Sequence, residues 1–303
     1  MTMPMIVAHR GGAGLRPENT LAACARALGT GADGIEIDVR LSREGEVIVF
    51  HDAVPDPRHV RAEGGRRLSG EPPRVRELSL HELRMFDVGY PRAEGAAPVP
   101  GECIPSLGEL LGFLNGQSRK PLLLIELKTD FDTASPLDPA GLTDAVLAVL
   151  AAQAGETPFR LMSFDWRCLT HAMNSLSAER CVFLTAPGYG ESGAGAGDAP
   201  WFAGHPPARY GGSAVQAISA LGGRHWGPHH AGLEAHSVIE AHEAGIKVAA
   251  WTVNEPRHLM RMQAFGVDYI VTDYPDRAMT VRNMARRHHG ARPDTEPESR
   301  RKG

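Results

Sequence analysis

Glu36 and Asp38 stand two residues apart in the segment GIEIDV, flanked by Ile35, Ile37 and Val39. In a strand the two carboxylates project to one side and the three aliphatic residues to the other. Two acids side by side among apolar neighbours repel each other and are costly to bury unless a cation neutralises them. Glu126, in LLLIELK, adds a third carboxylate at the end of another apolar run. An oxygen-only set of this kind suits a hard divalent ion, Mg²⁺ or Ca²⁺, with Mn²⁺ as a third candidate. His9 and His51 each close an apolar run and precede a charged residue. Imidazoles exchange protons near neutral pH, so a pair flanking a reacting centre can serve as acid and base. Arg10 and Lys128 supply the positive charge that a phosphate oxyanion requires. Metal, two imidazoles and two cations together describe phosphoryl transfer.

Such groups have to be delivered by a scaffold. Apolar runs of strand character occur at 5–9, 33–39, 47–52, 121–128, 160–164, 180–184, 215–219, 247–253 and 268–273. Segments with helical period fall between them, at 17–28, 106–114, 139–152, 166–176, 233–244, 257–265 and 276–286. Nearly continuous apolar strands are those buried on both faces, as in a parallel sheet covered by helices. The alternation gives an α/β class, and its length fits a TIM (β/α)8 barrel. In such a barrel the C-terminal strand ends share one mouth, so four successive strands would carry His9, Glu36 with Asp38, His51 and Glu126 to the same place. The barrel domain is expected over residues 1–285. A proline-, arginine- and glycine-rich stretch at 53–105 reads as a small subdomain inserted after the third strand, 186–213 as a long mobile loop, and 286–303 as a disordered polar tail.

The 303 residues are 42% hydrophobic and 22% charged, with a net charge of −4. That balance disfavours nucleic acid as a partner, since binding a phosphate backbone needs a clustered basic face. The four cysteines are dispersed and form no C-x-x-C pair, so reduced buried thiols are expected. No basic leader with a long apolar stretch opens the chain, so a cytoplasmic location without stable membrane insertion is expected. His225, His229 and His230 lack a thiolate or carboxylate at fixed spacing and read as a solvated loop rather than a metal site.

The segments HRGGAGLRPENT, GADGIEIDVRLSREGEVIVFHD, IPSLGELL, IELK, WTVN and GVDYIVTDYP, in that order, resemble the glycerophosphodiester phosphodiesterase family from residue 6 to about 279. The resemblance implies that His9 and His51 are the acid/base pair and that Glu36, Asp38 and Glu126 ligate one divalent cation. It further implies that Arg10 and Lys128 contact phosphate, that Asn19 braces the catalytic loop, and that Trp251 offers an apolar wall to the glycerol or the leaving alcohol. The substrate would be a small glycerophosphodiester. The implied mechanism is intramolecular: a neighbouring free hydroxyl would attack phosphorus and expel the alcohol, and water would then open the cyclic phosphate; holding that nucleophile in place is worth on the order of several kcal/mol. Two rival readings are a lysophospholipase D-like activity on longer lipids, entered past Trp201 and Phe202, and a silent barrel that binds a phosphorylated ligand. Ser42, Arg43 and Glu44 depart from the family's commoner Thr-x-Asp turn without touching the candidate site.

Overall fold

The computed structural model describes residues 3–129, 138–187 and 200–290, with side chains described up to Arg286. The chain opens with β1 (Met5–Ala8) and α1 (Leu21–Gly29), followed by β2 (Gly34–Leu41) and β3 (Val47–Val49). Next come three two-residue strands, β4 (Arg61–Ala62), β5 (Arg66–Arg67) and β6 (Phe86–Asp87), with the short α2 (Leu80–Leu83) between the last two. Then strands and helices alternate: α3 (Leu107–Asn115), β7 (Leu122–Leu127), α4 (Pro139–Gln153), β8 (Phe159–Ser163), α5 (Trp166–Ala172) and β9 (Cys181–Thr185). The chain continues through α6 (Ala214–Ala220), β10 (His225–Pro228), α7 (Ala235–Glu243), β11 (Lys247–Ala250), α8 (Pro256–Phe265), β12 (Tyr269–Thr272) and α9 (Pro275–Gly290).

Eight of these strands close on themselves. The order β1-β2-β7-β8-β9-β10-β11-β12 returns to β1, and every pair within it is parallel. This is the (β/α)8 barrel expected from the alternation. Along β2 the side chains sort as the period of two requires. Ile35, Ile37 and Val39 join the large cluster under the helices with Leu110, Leu114 and Val146. Val7, Leu124, Met162, Val182, Leu184 and Val271 pack inside the barrel. Each such aliphatic side chain contributes about 1.5–3 kcal/mol by leaving water. No helix among the described residues is long and apolar enough to cross a membrane.

Helix starts follow local capping chemistry. The Thr20 hydroxyl accepts from Ala23 N, so α1 begins at Leu21 rather than in the Pro17 turn. Ser106 and Glu109 form a reciprocal box at the start of α3, satisfying two backbone N–H groups that the helix itself cannot.

Three expectations are corrected. The third run is not a barrel strand: β3 is antiparallel to β2, in register Val39 with Val49 and Leu41 with Val47, so it folds back toward the mouth as a hairpin arm. The run at 215–219 is helical, because Ser213 caps it by accepting from Gln216 N and Val215 and Ile218 share its buried face. The missing barrel strand is β10 within GGRHWGPHH, where His225 through Pro228 are all buried. Its glycine, proline and histidine content concealed a strand whose burial comes entirely from its neighbours.

Within 53–105, β5-β4-β6 form a three-stranded antiparallel sheet. Val60, Val75, Leu83, Val88 and Ile104 pack there with Ile48 and Phe50 of the hairpin. In the stretch expected as a long loop, 188–199 lie outside the described residues, while Pro200–Phe202 and Pro207–Tyr210 form 3₁₀ turns. Of the expected polar tail, the first residues extend α9 to Gly290 and 291–303 lie outside the described residues.

Candidate active site at the barrel mouth

The parallel register places the three acids together. Asp38 on β2 is paired with Glu126 on β7, and Ala8 on β1 with Ile35, which brings His9 beside Glu36. Glu36, Asp38 and Glu126 are buried, and one carboxylate oxygen from each lies within 4.8 Å of the other two. Lys128 Nζ sits 2.7 Å from Glu126 Oε1 and 3.1 Å from Asp38 Oδ1. Arg10 Nε lies 3.3 Å from Asp38 Oδ2, and Arg10 N donates to Glu36 Oε2 at 2.8 Å.

The turn after β1 is shaped for these contacts. Arg10 and Asn19 both hold positive φ, 51° and 58°, which side chains with a Cβ adopt at some cost. Asn19 grips the main and side chain of Asp38: its Nδ2 donates to Asp38 Oδ2 at 2.8 Å, and its Oδ1 accepts from Asp38 N at 3.1 Å. Gly11 has φ 79°, and a Cβ there would lie 3.0 Å from that of Ala23, so a side chain would push α1 away from the loop.

The acids are not equivalent. Burial opposes ionisation of Asp38, but Lys128 and then Arg10 outweigh it and hold the group well below the usual carboxylate range. Glu36 goes the other way. Burial and then the Asp38 charge push it up to about 8, and its Oε1 is buried with no hydrogen-bond partner. Three buried carboxylates, two of them with an oxygen that lacks a hydrogen-bond partner, Glu36 Oε1 and Asp38 Oδ1, fit a divalent cation.

Each histidine is held by a carboxylate at Nδ1. His9 Nδ1 lies 2.7 Å from Asp273 Oδ1 at the end of β12, and His51 Nδ1 lies 2.8 Å from Asp52 Oδ1. Burial disfavours ionisation of Asp273 and Asp52, but their histidine partners reverse this, and both carboxyls lie below their ordinary value. Ionised carboxylates only accept, so Nδ1 carries the proton and Nε2 is the exchanging atom in each ring. For His9, burial disfavours the imidazolium, yet the Asp273 hydrogen bond and the Glu36 charge leave its pKa raised. His9 Nε2 stands 3.9 Å from Glu36 Oε2. His51 arrives on the hairpin arm, where Phe50 N donates to Asp38 O at 2.9 Å and Arg40 Nε donates to His51 O at 2.8 Å.

The other side of the mouth is rich in aromatic residues. A cavity of about 540 Å³ lies at the ends of β8, β9 and β10, lined by Phe164, Leu184, Trp201, Phe202, Trp226 and His229 among others. Trp251 follows β11 and meets two of these residues edge-on, with ring centroids 5.4 Å from Phe164 and 5.0 Å from His229. Its Nε1 donates to Gly227 O at 2.8 Å, which fixes the indole plane. His225 lies at the start of β10, fully buried and away from His229 and His230, so the three histidines share no site.

Sequence reasoning brought forward all nine of these side chains but missed their supports. Asp273 stands after β12 as His9 stands after β1, and that placement was a readable signal. Asn254 fixes Asp273, donating from Nδ2 to Oδ2 at 2.6 Å and accepting Asp273 N at 2.9 Å. Arg92 and Glu18, which also reach the site, had no such signal.

Comparison with known proteins identifies the family and the fold. The profile of the glycerophosphoryl diester phosphodiesterase family matches residues 9–277. A glycerophosphodiester phosphodiesterase of Caldanaerobacter subterraneus is 29% identical over 283 residues, covering 93% of this chain and 98% of that protein. A crystal structure from Silicibacter pomeroyi carrying the same family name superposes with a TM-score of 0.79 at 30% identity, covering 94% of each chain. An Oleispira antarctica phosphodiesterase, solved in complex with sn-glycerol-3-phosphate, shares the fold with a TM-score of 0.68 at 22% identity, covering 93% of this chain and 97% of that one.

Proposed function

The chain belongs to the glycerophosphoryl diester phosphodiesterase family and is a phosphodiesterase, and from that premise we propose that it hydrolyses glycerophosphodiesters to glycerol 3-phosphate and an alcohol with the help of one divalent cation. The observation that carries this reading is the meeting of three buried carboxylates within 4.8 Å, beside a pair of carboxylate-held imidazoles. Glu36, Asp38 and Glu126 would hold the cation, which would supply Lewis acidity toward the phosphoryl group. Mg²⁺, Ca²⁺ and Mn²⁺ all suit the donor set.

The residues of the chain divide the remaining work. Arg10, turned inward by its positive-φ backbone, and Lys128 set two positive charges beside the position of the phosphate. Asn19 fixes Asp38 and thereby the floor of the site. With Nδ1 tied to Asp273 or Asp52, each imidazole presents Nε2. One takes the proton from the glycerol hydroxyl as it attacks phosphorus, and the other gives a proton to the departing alcohol. The cyclic phosphate is opened by water with the two roles exchanged. Trp251 walls the apolar side, against the glycerol or the leaving group.

Turnover of glycerophosphocholine with Mg²⁺, Ca²⁺ or Mn²⁺ tests the reading directly. His9→Ala or Glu36→Ala protein that kept full metal-dependent turnover would overturn it. A second reading, cleavage of diesters bearing a long alkyl or acyl chain, is favoured by one observation, the aromatic-lined cavity beside Trp251. Its volume lies in the range of ordinary ligand pockets, about 300–1,000 Å³. A kcat/KM no higher for a monoacyl glycerophosphodiester than for glycerophosphocholine would remove it.

A further inference from the structure

Arg92 lies between β6 and α3, far in sequence from every catalytic candidate, yet its guanidinium reaches both loops that carry them. Its Nη2 is hydrogen-bonded to Asp52 Oδ2, while the other oxygen of the same carboxylate holds His51 Nδ1 at 2.8 Å. Its Nε lies 3.2 Å from Glu18 Oε1, the same oxygen that accepts Arg10 Nη1 at 3.0 Å. Its Nη1 faces a third acid, Asp56 Oδ2, at 3.8 Å, and that group is itself held by Arg58. Arg10 continues the chain of contacts to Asp38. One planar fork thus joins the loop after β1 to the arm after β3, with both oxygens of Asp52 engaged and its plane fixed. A guanidinium can meet two carboxylates in set directions, whereas an ammonium acts as a point charge.

We propose that Arg92 is a positioning residue that sets His51 through Asp52 and Arg10 through Glu18, so that the segment 53–105 completes the catalytic geometry. The inference rests on the assignment of His51 and Arg10 proposed above. Arg92 is one-third exposed, and ion pairs of that kind contribute little to stability. Its effect is on alignment, where a displacement of about 1 Å can cost on the order of 100-fold in rate.

The test is steady-state hydrolysis of glycerophosphocholine with saturating Mg²⁺ by Arg92→Ala, Arg92→Lys and Arg58→Ala proteins, with thermal midpoints in parallel. Arg92→Ala is expected to lower kcat at least tenfold with KM within about threefold and an unchanged midpoint. Arg92→Lys should recover part of the loss, and Arg58→Ala should match the parent. The loss caused by Arg92→Ala should shrink by half or more in an Asp52→Asn or Glu18→Gln background, since the groups it acts through are then already impaired. A kcat within twofold of the parent, an equal loss in Arg58→Ala, or full additivity in both backgrounds would overturn the inference. Should Arg92→Ala lower the midpoint, Arg92→Lys carries the same comparisons. His51→Ala separates the two levels: if it retains turnover, the assignment of His51 fails; if it is dead while Arg92→Ala is unimpaired, only the role of Arg92 fails.

Discussion

The two halves of the barrel rim are built on one plan and filled with opposite chemistry. Asp273 and His9 directly follow strands β12 and β1, while the Glu36 and Asp38 pair lies within β2 and Glu126 within β7. Strands β8 to β11 are followed by Phe164, Ala186, His229 and Trp251, and the first three of these line the aromatic cavity. In the first half the acids and imidazoles contact one another and the two cations, and burial together with those contacts shifts the protonation of His9, Glu36 and Asp38. In the second half ring edges and apolar walls predominate, with His229 as the imidazole among them, and such contacts select shape. The charged half should therefore control turnover and the apolar half should control substrate choice.

The largest effect expected is from the cation. Stripping with a chelator should reduce phosphodiesterase activity to background, and excess Mg²⁺, Ca²⁺ or Mn²⁺ should restore it; Glu36→Gln and Asp38→Asn should match the stripped protein. Residual turnover above a few percent would mean that the three acids are a structural cluster. Next come the imidazoles. His9→Ala and His51→Ala should each lower kcat by about 10²–10⁴, the usual weight of a general acid or base. Asp273→Asn, which leaves the ring in place but removes its charged anchor, should fall between these variants and the parent.

Substitutions across the rim should behave differently. Trp251→Ala is expected to change KM by roughly 3–10-fold with kcat little altered, consistent with the loss of a contact made equally in ground and transition states. If it depressed kcat as deeply as His9→Ala, the division of the rim would be wrong.

The smallest effect on turnover, and the one that sharpens the contrast between histidines, concerns His225. Neither of its ring nitrogens is hydrogen-bonded, and burial followed by the charges of Arg160 and Lys247 pushes its pKa down to about 3 from the ordinary 6.5. Between those values the unfolded chain takes up a proton that the folded chain refuses, so stability falls as pH drops through the window, by at most about 1.4 kcal/mol per pH unit. His225→Leu should flatten the acid side of a denaturation-against-pH profile and leave kcat unchanged. Parallel acid slopes for parent and variant would show that the buried ring does not set acid stability.

The charged half of the rim was legible from the chain alone because an acid inside an aliphatic run is improbable unless something uses it. Glu36, Asp38 and Glu126 stood out for that reason, and a strand period of two fixed the side they share. His9 and His51 were readable as endings of apolar runs. The apolar half was legible only in part: Trp201, Phe202 and Trp251 were picked out, whereas Phe164 and Trp226, which line the same cavity, look in sequence like any core residue. Strand β10 was missed on the same ground: the burial of HWGP comes from its neighbours, while its composition resembles a loop.

By itself the sequence determined the closed α/β barrel and seven of the nine candidate side chains, because apolar periodicity and out-of-place charge are local signals, while the family, and with it Asn19 and Trp251, followed from the resemblance of its motifs. Only the tertiary structure decided that the 47–49 strand runs backward, that Asp273 rather than a sequence neighbour holds His9, and that Arg92 meets Asp52 and Glu18. Those partners lie 264, 40 and 74 positions apart in the chain. No periodicity spans such distances. Closure of the barrel and the fold of the segment over its mouth set which charges come within reach, and over a few ångströms charge outweighs local preference.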